Sequence, residues 1–163
     1  MNLKDKSVLV TGGSDGIGRH ICLKLAAAGC RVGILGRHGA RLDAVRSEVL
    51  AAGAPSAIVY SCDMQDPSAI KATAQQAVND FNGIDILINN AGVWHKTGPL
   101  DTIAEDQVSA TIQTNLTGAI QMTHALLPSM RALKEAAILN VISKSGVLAQ
   151  AGQSVYTATK YGM

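Results

Sequence analysis

With 14 basic and 12 acidic side chains in 163 residues, the chain carries a net charge of +2, too small and too dispersed for a nucleic-acid surface. Its 3% aromatic content leaves few rings on which bases could stack. The length suits one domain over residues 1–163, with a core that needs neither disulfide nor metal. The start, MNLKDKSVLV, sets charges directly before a short apolar run, and no apolar stretch of about 18 residues follows, so we expect neither a signal peptide nor a membrane partner but a cytoplasmic protein.

The elements alternate along the chain. Ser7 to Thr11 is a short β-rich run that ends at a glycine cluster, after which Ile17, Ile21, Leu25 and Ala28 recur at helical spacing up to Gly29. Arg31 to Leu35 predicts a second strand, and Leu42, Val45 and Val49 a second helical face ending near Gly53 and Pro55. Ala57 to Ser61 is a third strand. Asp66 and Pro67 read as N-cap and first-turn residue of a third helix, lined by Ile70, Ala74, Ala77 and Phe81. Ile84 to Asn89 is nearly all apolar, as expected of a strand covered on both faces, and is the expected centre of the sheet. From Asp101 to Leu133 one or two helices are expected, with Val108, Ile112, Leu116 and Ala119 on one face and Asn115 and Gly118 as weak points. Ala136 to Ser143 is a fifth strand, and a helix starts at Ser154. Five strands separated by helices predict a doubly wound α/β domain with a mostly parallel sheet, whose ligands bind at the strands' carboxyl ends.

Cys22, Cys30 and Cys62 form no C-x-x-C pair and adjoin apolar segments, so they are expected as buried free thiols. The four histidines show no ligand spacing either, and no metal site is expected.

Chemistry-bearing residues fall at the ends of the predicted strands. Gly12, Gly16 and Gly18 let the backbone approach a ligand while the following helix aims its N–H groups at an anion. The spacing G-x-x-x-G-x-G matches neither G-x-G-x-x-G nor the phosphate loop ending in G-K-[ST], so taken alone it is either a cradle or a turn. After the second strand, where an acid would hold ribose hydroxyls, stand Gly36, Arg37 and His38. Arg37 there meets a ribose 2′-phosphate or is a solvated surface cation. Asp63 after the third strand is either an acceptor for the adenine amine or a loop residue. Asn89 to Gly92 ends the fourth strand with two amides and two small residues. Tyr156 and Lys160 lie four apart, on one helical face, and Ser143 closes the fifth strand. Lowering a tyrosine pKa from near 10 to neutrality takes roughly 4 kcal/mol, the order that a lysine about 4 Å away supplies at an effective dielectric of about 20.

Together these motifs resemble the short-chain dehydrogenase/reductase family, in order and over the whole chain. Thr11 to Gly18 is similar to its T-G-x-x-x-G-x-G loop, Asn89 to Gly92 to its N-N-A-G, Tyr156 to Lys160 to its Y-x-x-x-K, and Asn115 and Ser143 stand where the family keeps a helix asparagine and a serine. The resemblance implies a Rossmann-like fold and an oxidoreductase that passes hydride between NADP, in preference to NAD, and a small-molecule carbonyl or alcohol. It implies Asn115, Ser143, Tyr156 and Lys160 as catalytic residues. Tyr156 would exchange the proton, Lys160 lower its pKa and bind the nicotinamide ribose, Ser143 hold the substrate oxygen, and Asn115 support proton supply. Gly12, Ser14, Asp15, Gly16, Ile17, Gly18, Arg37, Asp63, Met64, Asn90, Ala91 and Gly92, with Tyr156 and Lys160, are implied as cofactor-binding, and a homodimer or homotetramer as the assembly. The family's domain goes on past Y-x-x-x-K with further strands and a loop over the nicotinamide, so the C-terminal part of the fold is expected to be missing and the fifth strand to be an open edge. The alternative is a nucleotide-binding or assembly module without turnover. Trp94, His95 and the loop after Gly146 either border a substrate pocket or are ordinary loop residues.

Overall fold

Apolar side chains on short strands build a sheet whose three inner strands are buried on both sides. The structure, a computed structural model, describes residues 1–95 and 97–163. Strands β1 (Ser7–Thr11), β2 (Arg31–Gly36), β3 (Ala57–Ser61), β4 (Ile86–Asn89) and β5 (Ala137–Asn140) form one parallel sheet in the order β3-β2-β1-β4-β5. Val8, Val10, Val32, Ile34, Ile86 and Ile88 face one side. There they pack on Cys22 and Ala26 of helix α1 (Gly16–Ala27) and on Leu42, Val45 and Val49 of α2 (Gly39–Ala51). Leu9, Leu35 and Leu87 face the other side, against Ile70, Ala74, Ala77 and Phe81 of α3 (Pro67–Phe81) and Met122, Leu126 and Met130 of α5 (Gly118–Arg131). This is the doubly wound α/β fold expected from the alternation of elements.

The centre of the sheet is β1, not the expected β4, because the chain runs outward from β1 through β2 and β3 and then returns to lay β4 on β1's other side. That reversal leaves a crevice beyond the carboxyl ends of β1 and β4, the place where open α/β sheets bind ligands. Strand β4 is buried along its length, as its composition predicts, and begins at Ile86 rather than Ile84. Strand β5 spans fewer residues than expected and lies at the sheet edge with all four residues exposed.

Two helical faces differ from expectation. In α1 the buried residues are Gly18, Cys22 and Ala26, whereas Ile17 is 66% exposed and Ile21 and Leu25 sit at the flank. Small side chains win the inner face because the helix lies close over the glycine loop. The long helical segment divides into α4 (Glu105–Ile112), a π-helical turn (Gln113–Thr117) and α5. The wider turn shifts the helical phase, so Thr111, Thr114, Asn115, Gly118 and Ala119 are buried while Ile112 is turned outward. Helix α3 follows the predicted caps: Asp66 accepts from the backbone N–H of Ser68 at 2.8 Å and of Ala69 at 3.1 Å, and Pro67 occupies the first turn. Cys22, Cys30 and Cys62 are buried free thiols, and burial pushes the Cys22 thiol up to about 12. The last helix, α6, spans Ser154–Gly162.

Candidate active site

A cavity of about 520 Å³ occupies the crevice at the carboxyl ends of the strands. Its floor is the glycine loop between β1 and α1. Gly12 has φ +65°, and a Cβ there would lie 2.8 Å from the Ala91 Cα. A Cβ on Gly18 would lie 2.1 Å from the Gly12 carbonyl oxygen and 2.5 Å from Asn90 Nδ2. Only hydrogen at both positions lets the loop, the helix start and the end of β4 meet.

The two loops are joined by side chains of the same motifs. Asn90 Nδ2 donates to the carbonyl oxygens of Thr11 at 2.9 Å and Gly12 at 3.1 Å. Thr11 Oγ1 accepts from the backbone N–H groups of Asn90 and Ala91, both at 3.0 Å. Asp15 caps α1 by accepting from the Gly16 N–H at 2.7 Å. The Asn90 amide is thus spent on shaping the cradle, while the first-turn N–H groups of α1 beyond Gly16 have no partner within the helix, a geometry able to take an anion.

All the residues expected to bind cofactor line this one cavity: Gly12, Ser14, Asp15, Gly16, Ile17, Gly18, Arg37, Asp63, Met64, Asn90, Ala91, Gly92, Tyr156 and Lys160. The exposed Arg37 stands at the end of β2, and Asp63 beyond β3 accepts from the Gln65 N–H at 3.0 Å, forming a turn. A cavity with an amide-rich floor, cations at one end and Tyr156 and Lys160 at the other has the donor set that a nicotinamide dinucleotide requires. The sequence pattern did not assign Leu35, Arg41, Cys62, Val93, Thr114, Val141 and Ile142 to the site, and these also line it. Arg41 lies in the first turn of α2, whereas Arg37 precedes that helix, so no spacing within one element linked the two.

The four residues expected to be catalytic are placed differently. Tyr156, half-buried, and Lys160, buried, face the cavity, with Lys160 Nζ 5.9 Å from the centre of the Tyr156 ring. Lys160 Nζ donates to the Val141 carbonyl at 2.9 Å. Ser143 and Asn115 are not among the lining residues. Ser143 caps a short 3-10 turn, accepting from the Ser145 N–H at 3.2 Å. Asn115 is fully buried behind the wall. Its Oδ1 accepts from the Val93 N–H at 2.7 Å, and its Nδ2 donates to the Val93 carbonyl at 2.9 Å and to Thr159 Oγ1 at 3.3 Å. That side chain braces the loop after β4 against α6. Trp94 lines the cavity and is 59% exposed, whereas His95 is buried; the loop between Gly146 and α6 is tied to the loop after β4 by the Gly98 N–H, which donates to the Gly152 carbonyl at 3.0 Å.

Burial holds the Lys160 ammonium below its ordinary pKa of 10.5. Between the folded value and 10.5 the unfolded chain binds more protons, so the group's contribution to stability is lost below that window and regained as pH rises through it. Thermal unfolding of the protein and of Lys160→Met, followed from neutral pH to pH 10.5, is expected to show the unsubstituted protein gaining stability relative to the variant. Parallel curves would contradict this.

An α/β fold with a crevice at the strands' carboxyl ends and a Tyr–Lys pair beside it defines a class of doubly wound, nucleotide-binding-type folds, and comparison with known proteins narrows it. The family model for short chain dehydrogenases matches residues 6–163, and the chain belongs to that family. It is 36% identical to D-beta-hydroxybutyrate dehydrogenase of Cupriavidus necator over 162 residues, covering 99% of this chain and 62% of that protein. It is 35% identical to the 3-oxoacyl-[acyl-carrier-protein] reductase FabG of Staphylococcus aureus, covering 97% and 64%. The chain therefore spans somewhat under two thirds of the length of these curated relatives. Among solved structures, a metagenomic short-chain oxidoreductase in complex with NADP superposes with a TM-score of 0.93 at 36% identity, covering 99% of this chain and 73% of that one. An NAD+-bound xylitol dehydrogenase does so with a TM-score of 0.93 at 28% identity, covering 99% and 62%.

Proposed function

We propose that the protein containing this chain is an NADP-dependent oxidoreductase acting on a carbonyl compound or the corresponding secondary alcohol. The observation that carries this reading is the convergence of the glycine loop, Asn90 to Gly92, Arg37, Tyr156 and Lys160 on one cavity. When bound, the nicotinamide supplies or accepts the hydride. Tyr156 gives its phenolic proton to the carbonyl oxygen in reduction and takes it back in oxidation. Lys160, buried and without a carboxylate partner among the described residues, sets its charge beside the Tyr156 ring and is placed for the nicotinamide ribose. Ser143 uses its oxygen to accept from Ser145, which leaves its proton for the substrate oxygen. Asn115 is a positioning residue that holds Val93 and α6 in register.

Arg37 supports NADP over NAD, because it stands where an acid would otherwise hold ribose hydroxyls. Arg37→Ala is expected to lower the ratio of NADPH to NADH affinity about ten-fold or more, a charge-assisted phosphate contact being worth about 1.5–3 kcal/mol. Fluorescence titration with both nucleotides measures it, and an unchanged ratio would remove the NADP assignment.

Among the described residues no helix is long and apolar enough to cross a membrane; a cytoplasmic location is part of the same proposal and does not follow from that absence. Ile112 and Ile120 are exposed on α4 and α5, with Leu116 half-buried between them and Tyr161 exposed on α6. A second copy of the protein is the partner we propose for this stripe. Ile120→Glu should move the sedimentation coefficient of the natural protein towards the monomer; an unchanged value places the contact elsewhere. The exposed β5 edge favours a second reading, a nucleotide-binding unit without turnover. NADPH binding without NADPH oxidation across a panel of ketones would select it.

A further inference from the structure

We propose that Arg41 is a second cation for a phosphate on the adenosine ribose, and that Asp15 sets the strength of this subsite by competing for it. The proposal rests on the NADP reading and names a group that the reading does not use. Ser14, Asp15, Arg37, His38 and Arg41 all line the cavity at the carboxyl ends of β1 and β2. Arg41 Nη1 lies 3.5 Å from Asp15 Oδ2, and the two side chains are 63% and 78% exposed.

Neither packing nor helix stability explains this pair. Arg41 sits in the first turn of α2, where the macrodipole disfavours a cation, and that turn contains no acid. Helices α1 and α2 are already joined by Arg19 and Glu48, whose Nε and Oε2 are 2.6 Å apart. Asp15 is fixed from the other direction. Its Oδ1 is engaged by the Gly16 N–H, and this directs Oδ2 across the mouth of the cavity towards α2.

An exposed ion pair is worth at most about 1 kcal/mol, whereas a phosphate dianion offers a guanidinium two strong acceptors. A ribose phosphate held by Arg37 would therefore draw Arg41 away from Asp15. The released carboxylate then stands beside the phosphate as a like charge and limits the gain. Discrimination between the two nucleotides is held down by Asp15 and raised by Arg41.

Calorimetric titration with 2′,5′-ADP and 5′-AMP tests the subsite without turnover, circular dichroism confirming that each variant is folded. Arg41→Ala is expected to weaken 2′,5′-ADP about ten-fold with 5′-AMP within two-fold. Asp15→Asn keeps an acceptor for the Gly16 N–H and is expected to tighten 2′,5′-ADP about three- to ten-fold more than it tightens 5′-AMP. If Arg37→Ala weakens 2′,5′-ADP and Arg41→Ala does not, the role of Arg41 is overturned while the NADP reading stands. If Asp15→Asn weakens 5′-AMP instead, Asp15 holds ribose hydroxyls and the competition is overturned. If the unsubstituted protein binds both probes equally and Arg37→Ala changes neither, the NADP reading itself fails.

Discussion

Tyr156→Phe is expected to lower kcat for carbonyl reduction by roughly 10²–10⁴-fold, the usual contribution of a positioned general acid, with a much smaller loss of NADPH affinity. The substitution keeps the ring against the cavity wall and removes only the oxygen that carries the proton. Lys160 stays in place because its donor bond goes to the Val141 carbonyl and not to the tyrosine. Steady-state assays of NADPH oxidation against a panel of ketones, with nucleotide binding followed by fluorescence, separate the two effects. A variant that retains more than a tenth of the activity would show that another group delivers the proton. Lys160→Met, by contrast, should reduce turnover and weaken nucleotide binding together, since the lysine is assigned both to the phenol and to the ribose.

Gly18→Ala is expected to destabilise the protein by about 2–4 kcal/mol and to abolish measurable nucleotide binding. The added methyl would lie 2.1 Å from the Gly12 carbonyl oxygen, and the backbone of the loop, unlike a flexible side chain, cannot swing aside. Moving Gly12 would also break the bonds from Asn90 that close the cradle. Gly39→Ala is the matched control: its Cβ meets nothing within 4 Å at the start of α2, so the change should cost nothing and add at most about 1 kcal/mol through helix propensity. Urea denaturation of the two variants measures the contrast. Equal stability for both would mean that the close approach at Gly18 does not constrain the loop.

The same contrast explains what was legible before the structure. Strands β1 and β3 begin and end where their residues predict, and Asp66 with Pro67 starts α3, because these signals are local: β-branched alternation, a capping carboxylate, a ring with fixed φ. The residues of the glycine loop, of Asn89 to Gly92 and of the Tyr–Lys pair were recognisable through order and spacing. Their meeting in one cavity was not, since it depends on β4 pairing with β1 across nearly eighty residues.

Helix faces were less legible. Apolar spacing pointed to Ile17, Ile21 and Leu25 in α1, yet the helix turns Gly18, Cys22 and Ala26 inward. Close backbone approach rewards small volume there more than hydrophobicity. In the α4–α5 segment the π turn and the bonds from Asn115 to Val93 and Thr159 bring polar residues to the inner face and turn Ile112 and Ile120 out. Side-chain satisfaction across elements overrode periodicity within one element.

Fold class, element order and the identity of the glycine-loop and Tyr–Lys residues are therefore properties of the chain's own pattern, written in contacts a few residues apart. The position of β1 at the sheet centre, the withdrawal of Asn115 behind the cavity wall and the pairing of Arg41 with Asp15 arise only when distant segments pack. Local sequence restricts φ, ψ and burial residue by residue, whereas the distance between two side chains on different elements is set by the packing of the whole sheet.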